Sequence, residues 1–355
     1  MKKLVAIMLT LVLGLTAVGG CSGSPTTSGT ASGTETQTQT QTQTQTAAAS
    51  GAIKIIFGTG ASEASYFGQS LKYLEEIVNE RMAGEVEFKV YLGEQLGDAT
   101  SMLENLQVDL QQGWGDSLDT LATYAPDLNI TTMAFAFKST KHVDAFLGSD
   151  VGKSIFNKLE SNNIVVTDYS FDRLPRSFVS TKPIAKASDM KGLKWRIPNI
   201  EIYEKNFSAL GAVPTYVAWS EYPYALMTGV VDAGDASQED IVPNGLYLSA
   251  PYISLVEYAY PKNCVVLNTQ TWNKMTAGQQ ETYTKCCADA AAYFRDLLET
   301  AWEADQKTIL DSKGEFVEID RQSFLDAVVN YASELEAANF WDTKDLYDHV
   351  QSLSY

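Results

Sequence analysis

Positive charge, histidine and cysteine are all scarce in this chain of 355 residues. It carries 26 Lys and Arg against 44 Asp and Glu, with two histidines and four cysteines. A net charge of −18 excludes the basic footprint that nucleic acids and anionic membrane surfaces select. His142 and His349 each stand alone in a helical context, which reads as surface placement and leaves no histidine-based catalytic or metal-binding set. There is no GxxxxGK followed by Ser or Thr, no GxSxG, no HExxH and no CxxC. The run "GTGASEA" lacks the third glycine of a dinucleotide fingerprint and has no ribose-binding acid at the expected place. Carboxylates are so plentiful that any pair could be named an acid–base dyad, so they signal nothing without geometry. An enzyme is therefore not expected, nor a cofactor or metal. A surface-anchored glycan or ester hydrolase stands as the alternative from another class.

The N-terminal stretch "MKKLVAIMLTLVLGLTAVGGC" has a positive n-region at Lys2 and Lys3, an apolar run from Leu4 to Leu15, and small residues leading into Cys21. This is the pattern of a secretory signal peptide, residues 1–20. Small residues ending in a cysteine resemble a bacterial lipobox, in which Cys21 becomes the lipidated first residue; the alternative is plain secretion with Cys21 discarded. Residues 21–52 then hold the lipidated cysteine and a tether, "SGSPTTSGTASGTETQTQTQTQTQTAAASGA", with almost no apolar bulk. At ~5–6 Å × √n, a flexible tether of that length reaches about 30 Å. No other segment has the ~18 apolar residues that span a bilayer. Cys264, Cys286 and Cys287 remain; one bridge to Cys264 is open, and three buried free thiols are the favoured expectation.

From Ile53 the pattern becomes globular. "IKIIFGTG" predicts a strand, "YFGQSLKYLEEIVNERMAG" a helix stopped by Gly84, "EVEFKVYLG" a strand and "DATSMLENLQVDLQQG" a helix. The grammar restarts with the strands "IVVTDYSF", "RSFVSTKPI", "LKWRIP", "VPTYVA" and "VVDAGDAS". Helices intervene, one of them "WSEYPYALMTG" with Ser220 as N-cap, and one long amphipathic pattern follows Glu281. Strand–helix alternation with short loops implies parallel α/β layers. The expected fold is α/β with two lobes, a ligand cleft between them and a long helix spanning both. Lobe I takes 53–172 plus 261–300, and lobe II takes 173–260 plus 301–355.

Arg196 is the unusual residue. It sits in "KGLKWRIPN" between Trp195 and Ile197, where burial is expected, and a buried guanidinium needs a partner. Arg176 leads "RSFVSTKPI"; if the two strands are neighbours, both guanidiniums point into one cleft. A guanidinium fork matches a carboxylate in bidentate fashion. Arg173 is a nearby spare, more simply a surface ion pair.

The run "DMKGLKWRIPNIEIYEKNFSALGAVPTYVAWSEYPYALMTGVVDAGDA" resembles the core motif of the solute-binding proteins of tripartite ATP-independent periplasmic (TRAP) transporters. "YLGEQLGDATSMLENLQVDLQQG" and "RSFVSTKPI" resemble two further family segments, in order and at matching spacing. The resemblance implies a periplasmic-binding-protein-like fold that captures a small organic acid outside the membrane and passes it to the TRAP permease membrane subunits. The protein would be held at the membrane by its lipid anchor, act as a monomer and have no nucleic-acid partner. A different importer or a sensor is the alternative partner. Arg196 matches the arginine that pairs with the ligand carboxylate, and Arg176 a supporting one. Asn199, Trp219, Asp235, Ala236, Trp114, Tyr169, Tyr66 and Gln95 complete the candidate contacts. The chain departs from the family at Ala236, where an asparagine is common. That departure, with the aromatic residues Tyr222 and Tyr258 nearby, suggests a larger or more apolar monocarboxylate than a small dicarboxylate.

Overall fold

The computed structural model describes residues 51–355, so the signal peptide, Cys21 and nearly all of the tether lie outside the described residues. The chain first lays down Ile53–Gly58 (β1), Val86–Tyr91 (β2), Gly113–Ser117 (β3) and Ile164–Asp172 (β4). It then crosses to build Arg176–Ser180 (β5), Lys194–Ile197 (β6), Val213–Tyr216 (β7), Ala233–Ser237 (β8) and Tyr252–Ser254 (β9). It returns with Lys262–Asn268 (β10), runs along a 35-residue helix, Ala277–Asp311, and adds Glu315–Phe316 (β11). Two sheets result, ordered β2-β1-β3-β10-β4 and β11-β9-β5-β8-β6-β7.

The expected parallel layers hold within β2-β1-β3 and β8-β6-β7. The strands next to the crossings run the other way: β10 pairs antiparallel with β3 and β4, and β5 with β8 and β9. A strand entered from the opposite lobe needs no right-handed crossover helix, so antiparallel pairing is open to it. β10 is buried at every position, the continuous apolar character of a central strand.

The long helix begins at a capping box, Thr276 with Gln279, and at ~1.5 Å per residue spans about 50 Å. Its first half buries Tyr283, Cys286, Cys287 and Phe294 against the first sheet, while Ile309 belongs to the apolar cluster of the second. The three described cysteines are free and buried. The expected assignment of 301–355 to lobe II is too simple for the C-terminus. The backbone of Asp342 and Thr343 donates to Asp127, and Lys158 pairs with Asp342, so this segment packs beside elements that precede β4. His142 is fully buried there, not at the surface. Its Nε2–H donates to the Val350 carbonyl (2.8 Å) and its ring stacks on Tyr355.

Side-chain alternation on β6 sets up the site. Trp195 and Arg196 point to opposite faces. Trp195 is fully buried, stacks on Phe207 at 4.7 Å and meets Phe178 edge-on at 4.8 Å. Phe207→Ala is expected to cost about 3–5 kcal/mol of unfolding free energy, read as a lowered urea midpoint. A second test concerns Asp305 on the long helix, which accepts from the Tyr66 hydroxyl and whose carboxyl burial pushes up to about 6. The folded chain then holds that proton more tightly than the unfolded one. This contribution is full below the ordinary carboxylate range near 4 and is lost as pH rises through about 6. Urea titrations from pH 4 to 7.5 should show wild-type stability falling more steeply with pH than that of Asp305→Asn.

Candidate functional site

The two arginine strands are not neighbours: β8 lies between them, with Arg176 opposite Ser237 and Arg196 opposite Gly234. The intervening strand serves both. Gly234 must lack a side chain, since a Cβ there would press on the Arg196 Cβ at 3.0 Å and on the Tyr222 ring. The next residue, Asp235, pairs with Arg176 from a fully buried position and also accepts from Tyr258 Oη at 2.6 Å.

Arg196 is 3% exposed and has no carboxylate partner among the described residues. Its Nε donates to the Val217 carbonyl at 2.9 Å, and its Cζ lies 5.2 Å from the Trp219 ring and 5.1 Å from that of Tyr222. These contacts seat the guanidinium without neutralising it. Arg176 lies 5.2 Å from the Tyr203 ring, and Arg173 is buried against Glu239 and Asp240 rather than exposed as expected. The electrostatics separate the three. Burial pulls every guanidinium down. At Arg176 the charge of Asp235 overcomes it, and at Arg173 those of Asp240 and Glu239 do. At Arg196 burial wins, and the group is held below the ordinary arginine range.

All three arginines line one cavity of about 120 Å³. A single water needs about 10–15 Å³, so the space suits a small solute. The opposite wall comes from the first sheet and its loops: Glu94, Asp98, Asp116, Ser117, Asp119 and Thr120. Asp116 accepts from the backbone N–H of Gly60 (3.1 Å) and Ser117 (2.8 Å), and burial pushes its carboxyl up to about 6 in spite of Arg173. Asp119 accepts from the hydroxyls of Tyr203 (2.8 Å) and Ser117. Three polar contacts close the mouth across the two walls. Tyr216 donates to Asp98 (3.1 Å), Asn199 to Thr100 (3.4 Å), and the Ser220 N–H and hydroxyl to Glu94. Ser220 is thus not a helix cap: the helix Tyr222–Thr228 starts after Glu221, and the hydroxyl serves the mouth instead. A larger depression of about 590 Å³ among the C-terminal helices has no buried charge at its base.

Of the ten candidate contacts, Arg196, Arg176, Asn199 and Trp219 meet at this cavity. The other six do not line it. Asp235 sits behind Arg176 as its counter-ion, and Ala236 packs in an apolar cluster with Val179 and Leu226, so the substitution at 236 opens no room. Trp114 is fully buried in the core, Tyr169 stacks on Phe156, Tyr66 serves Asp305 and Gln95 is exposed on a turn. Tyr222 and Tyr258 also stay behind the arginines, which leaves the cavity more polar than their number suggests. Sequence reasoning missed Asp116, Asp119, Tyr203 and Tyr216. A signal existed in "GWGDSLD", where acids close a glycine-flanked strand at its carboxyl end, the position where ligands gather in such sheets. Among the described residues no cluster of His, Cys, Asp and Glu could hold a metal ion.

The model of the bacterial extracellular solute-binding proteins, family 7, matches residues 57–338. A solute-binding protein of Roseobacter denitrificans is 29% identical over 276 residues, 76% of this chain and 81% of its own. The 2,3-diketo-L-gulonate-binding periplasmic protein YiaO of Escherichia coli K12 is 24% identical over 305 residues, 84% of this chain and 91% of its own. A crystal structure of a TRAP periplasmic solute-binding protein from Sulfitobacter sp. NAS-14.1, with bound β-D-galacturonate, matches with a TM-score of 0.77 and 25% identity over 84% of this chain and 98% of that one. These relatives are binding proteins, not enzymes. The chain belongs to the bacterial extracellular solute-binding protein family 7, the solute-binding proteins of TRAP transporters.

Proposed function

We propose that the protein captures a small monocarboxylate outside the cell membrane and delivers it to a TRAP permease, with Arg196 as the principal grip on the carboxylate. The observation that carries this is a guanidinium 3% exposed, facing a cavity, with no carboxylate of the protein against it. Leaving a buried charge unpaired costs several kcal/mol, a penalty that a bound anion removes. Arg176, already matched by Asp235, supports with its remaining donors, and Asn199 and Trp219 shape the mouth.

The far wall sets the rest of the solute. Its carboxylates and hydroxyls accept hydrogen bonds, so the distal end of the solute donates them, and a second carboxylate would meet like charge. A solute that is large and apolar is therefore disfavoured, whereas hydroxylated acids of the kind named for the E. coli and Sulfitobacter proteins suit such a wall. Lipidation at Cys21, with the tether, would keep the domain within about 30 Å of the membrane that carries the permease.

A thermal-melt screen of the chain against carboxylic acids tests the assignment. A true ligand at ~100 times its Kd adds about 2.7 kcal/mol of stability. With that ligand, Arg196→Ala should leave no measurable binding by calorimetry. Arg196→Lys should bind at least about tenfold more weakly, because an ammonium cannot replace a bidentate fork. Wild-type affinity in either variant overturns the role given to Arg196.

A further inference from the structure

We propose that the solute carries a cationic amine at the end remote from its carboxylate, and so occupies the cavity as a zwitterion. This rests on the assignment of Arg196 to the carboxylate and goes on to specify the other end.

Apart from Asp240, which lines the cavity beside Arg173, the charged groups of the cavity are divided by wall. Its three cations, Arg173, Arg176 and Arg196, all come from the stretch 173–196. The wall built from 94–119 supplies Glu94, Asp98, Asp116 and Asp119 and no Lys or Arg. Pairing does not remove the imbalance. Arg173 already faces two carboxylates, Glu239 and Asp240, and Arg176 faces Asp235. Arg196 is the cation left over, and the solute carboxylate takes it. Among the described residues, Asp116 and Asp119 are then held by backbone N–H groups and hydroxyls, with no cation hydrogen-bonded to either. A solute with one negative charge and a neutral far end would raise the surplus of buried anions. An ammonium brings three donors and one positive charge to the place where acceptors and negative charge are in excess.

Burial is the main reason that Asp116 resists ionisation, with the neighbouring anion Asp240 a smaller one. Burial pushes its carboxyl up to about 6; Arg173 and the two backbone N–H groups favour the anion, and Asp240 opposes it. A proton on Asp116 is the competing way to balance the charge, and the experiment separates the two.

Titration calorimetry on the full chain at pH 7.5 would compare matched pairs of acids that differ only at the far end. The pairs are 3-aminopropanoate with 3-hydroxypropanoate, 4-aminobutanoate with 4-hydroxybutanoate, and 5-aminopentanoate with 5-hydroxypentanoate. D-glucuronate and D-galacturonate serve as neutral-ended references. The expected result is that the amine of at least one pair binds at least tenfold more tightly than its hydroxy partner and than either uronate. Asp116→Asn or Asp119→Asn should shrink that ratio towards one. The wild-type comparison stands even if a variant fails to fold. A hydroxy acid or uronate that binds as tightly as every amine overturns the zwitterion and leaves the role of Arg196 intact. So does a hydroxy acid that binds with uptake of a proton, measured in two buffers of different ionisation enthalpy. Binding of none of these acids overturns the zwitterion and also counts against a carboxylate at Arg196.

Discussion

One guanidinium is kept charged inside the protein without a carboxylate beside it, and much of the second sheet is arranged around that fact. Three buried arginines share the cavity, so the contrast between them is internal to one site. Arg173 and Arg176 are neutralised by acids a few residues away in space, and their positive charge is structural. Arg196 receives a carbonyl and two aromatic faces instead. Those contacts fix its direction and are worth far less than an ion pair in a dry site, with a cation over a ring contributing about 0.5–2 kcal/mol. With Nε on the Val217 carbonyl and two ring faces against it, the guanidinium of a cavity-lining arginine is held in place without a solute, which is the preorganisation that binding needs.

A protein of net charge −18 binding an anion is then a question of distance rather than of sum. At physiological salt the screening length is about 8 Å, so surface acids beyond that range act weakly at the cavity. The acids that matter are the few within it: Glu94, Asp98, Asp116 and Asp119 come from the wall built by 94–119, while Asp235 and Asp240 are paired with Arg176 and Arg173. The division by wall follows from the chain path. Residues 94–119 belong to the first sheet and its loops, residues 173–196 to the second, and the solute lies where the sheets face each other.

Much of this was legible in the sequence where a residue contradicted its neighbours. Arg196 stood out because a charged residue interrupted an apolar strand, and the period-two alternation of β6 turned that oddity into a direction. Asn199 and Trp219 followed from their nearness to the same motif. What failed was the assignment of aromatics and of Ala236, because deciding which face of a strand they occupy requires the register of the partner strand. Trp114 on β3 precedes the cavity-lining Asp116 by two residues yet lies in the core, and Ala236 on β8 packs with Val179 and Leu226. The antiparallel β10 and the passage of the C-terminus beside Asp127 and His142 depend on contacts more than a hundred residues apart in sequence. Local patterns do not encode such contacts. Asp116 and Asp119 were hidden among 44 acids until geometry selected them.

The mouth shows why closure must depend on what is inside. Tyr216–Asp98 and the two Ser220–Glu94 bonds have carboxylate acceptors and Asn199–Thr100 a neutral one; all four lie in exposed or half-exposed positions, where water competes with bonds that contribute about 0.5–3 kcal/mol each. Screened by water, these four bonds are set against the cost of holding a guanidinium without a carboxylate partner away from solvent, which is several kcal/mol. The balance changes sign when an anion enters, because the same desolvation that penalised Arg196 alone then strengthens its bond to the carboxylate. On the proposed assignment of Arg196, the mouth contacts would set the geometry of a closed form and the ion pair inside would supply most of the reason to adopt it.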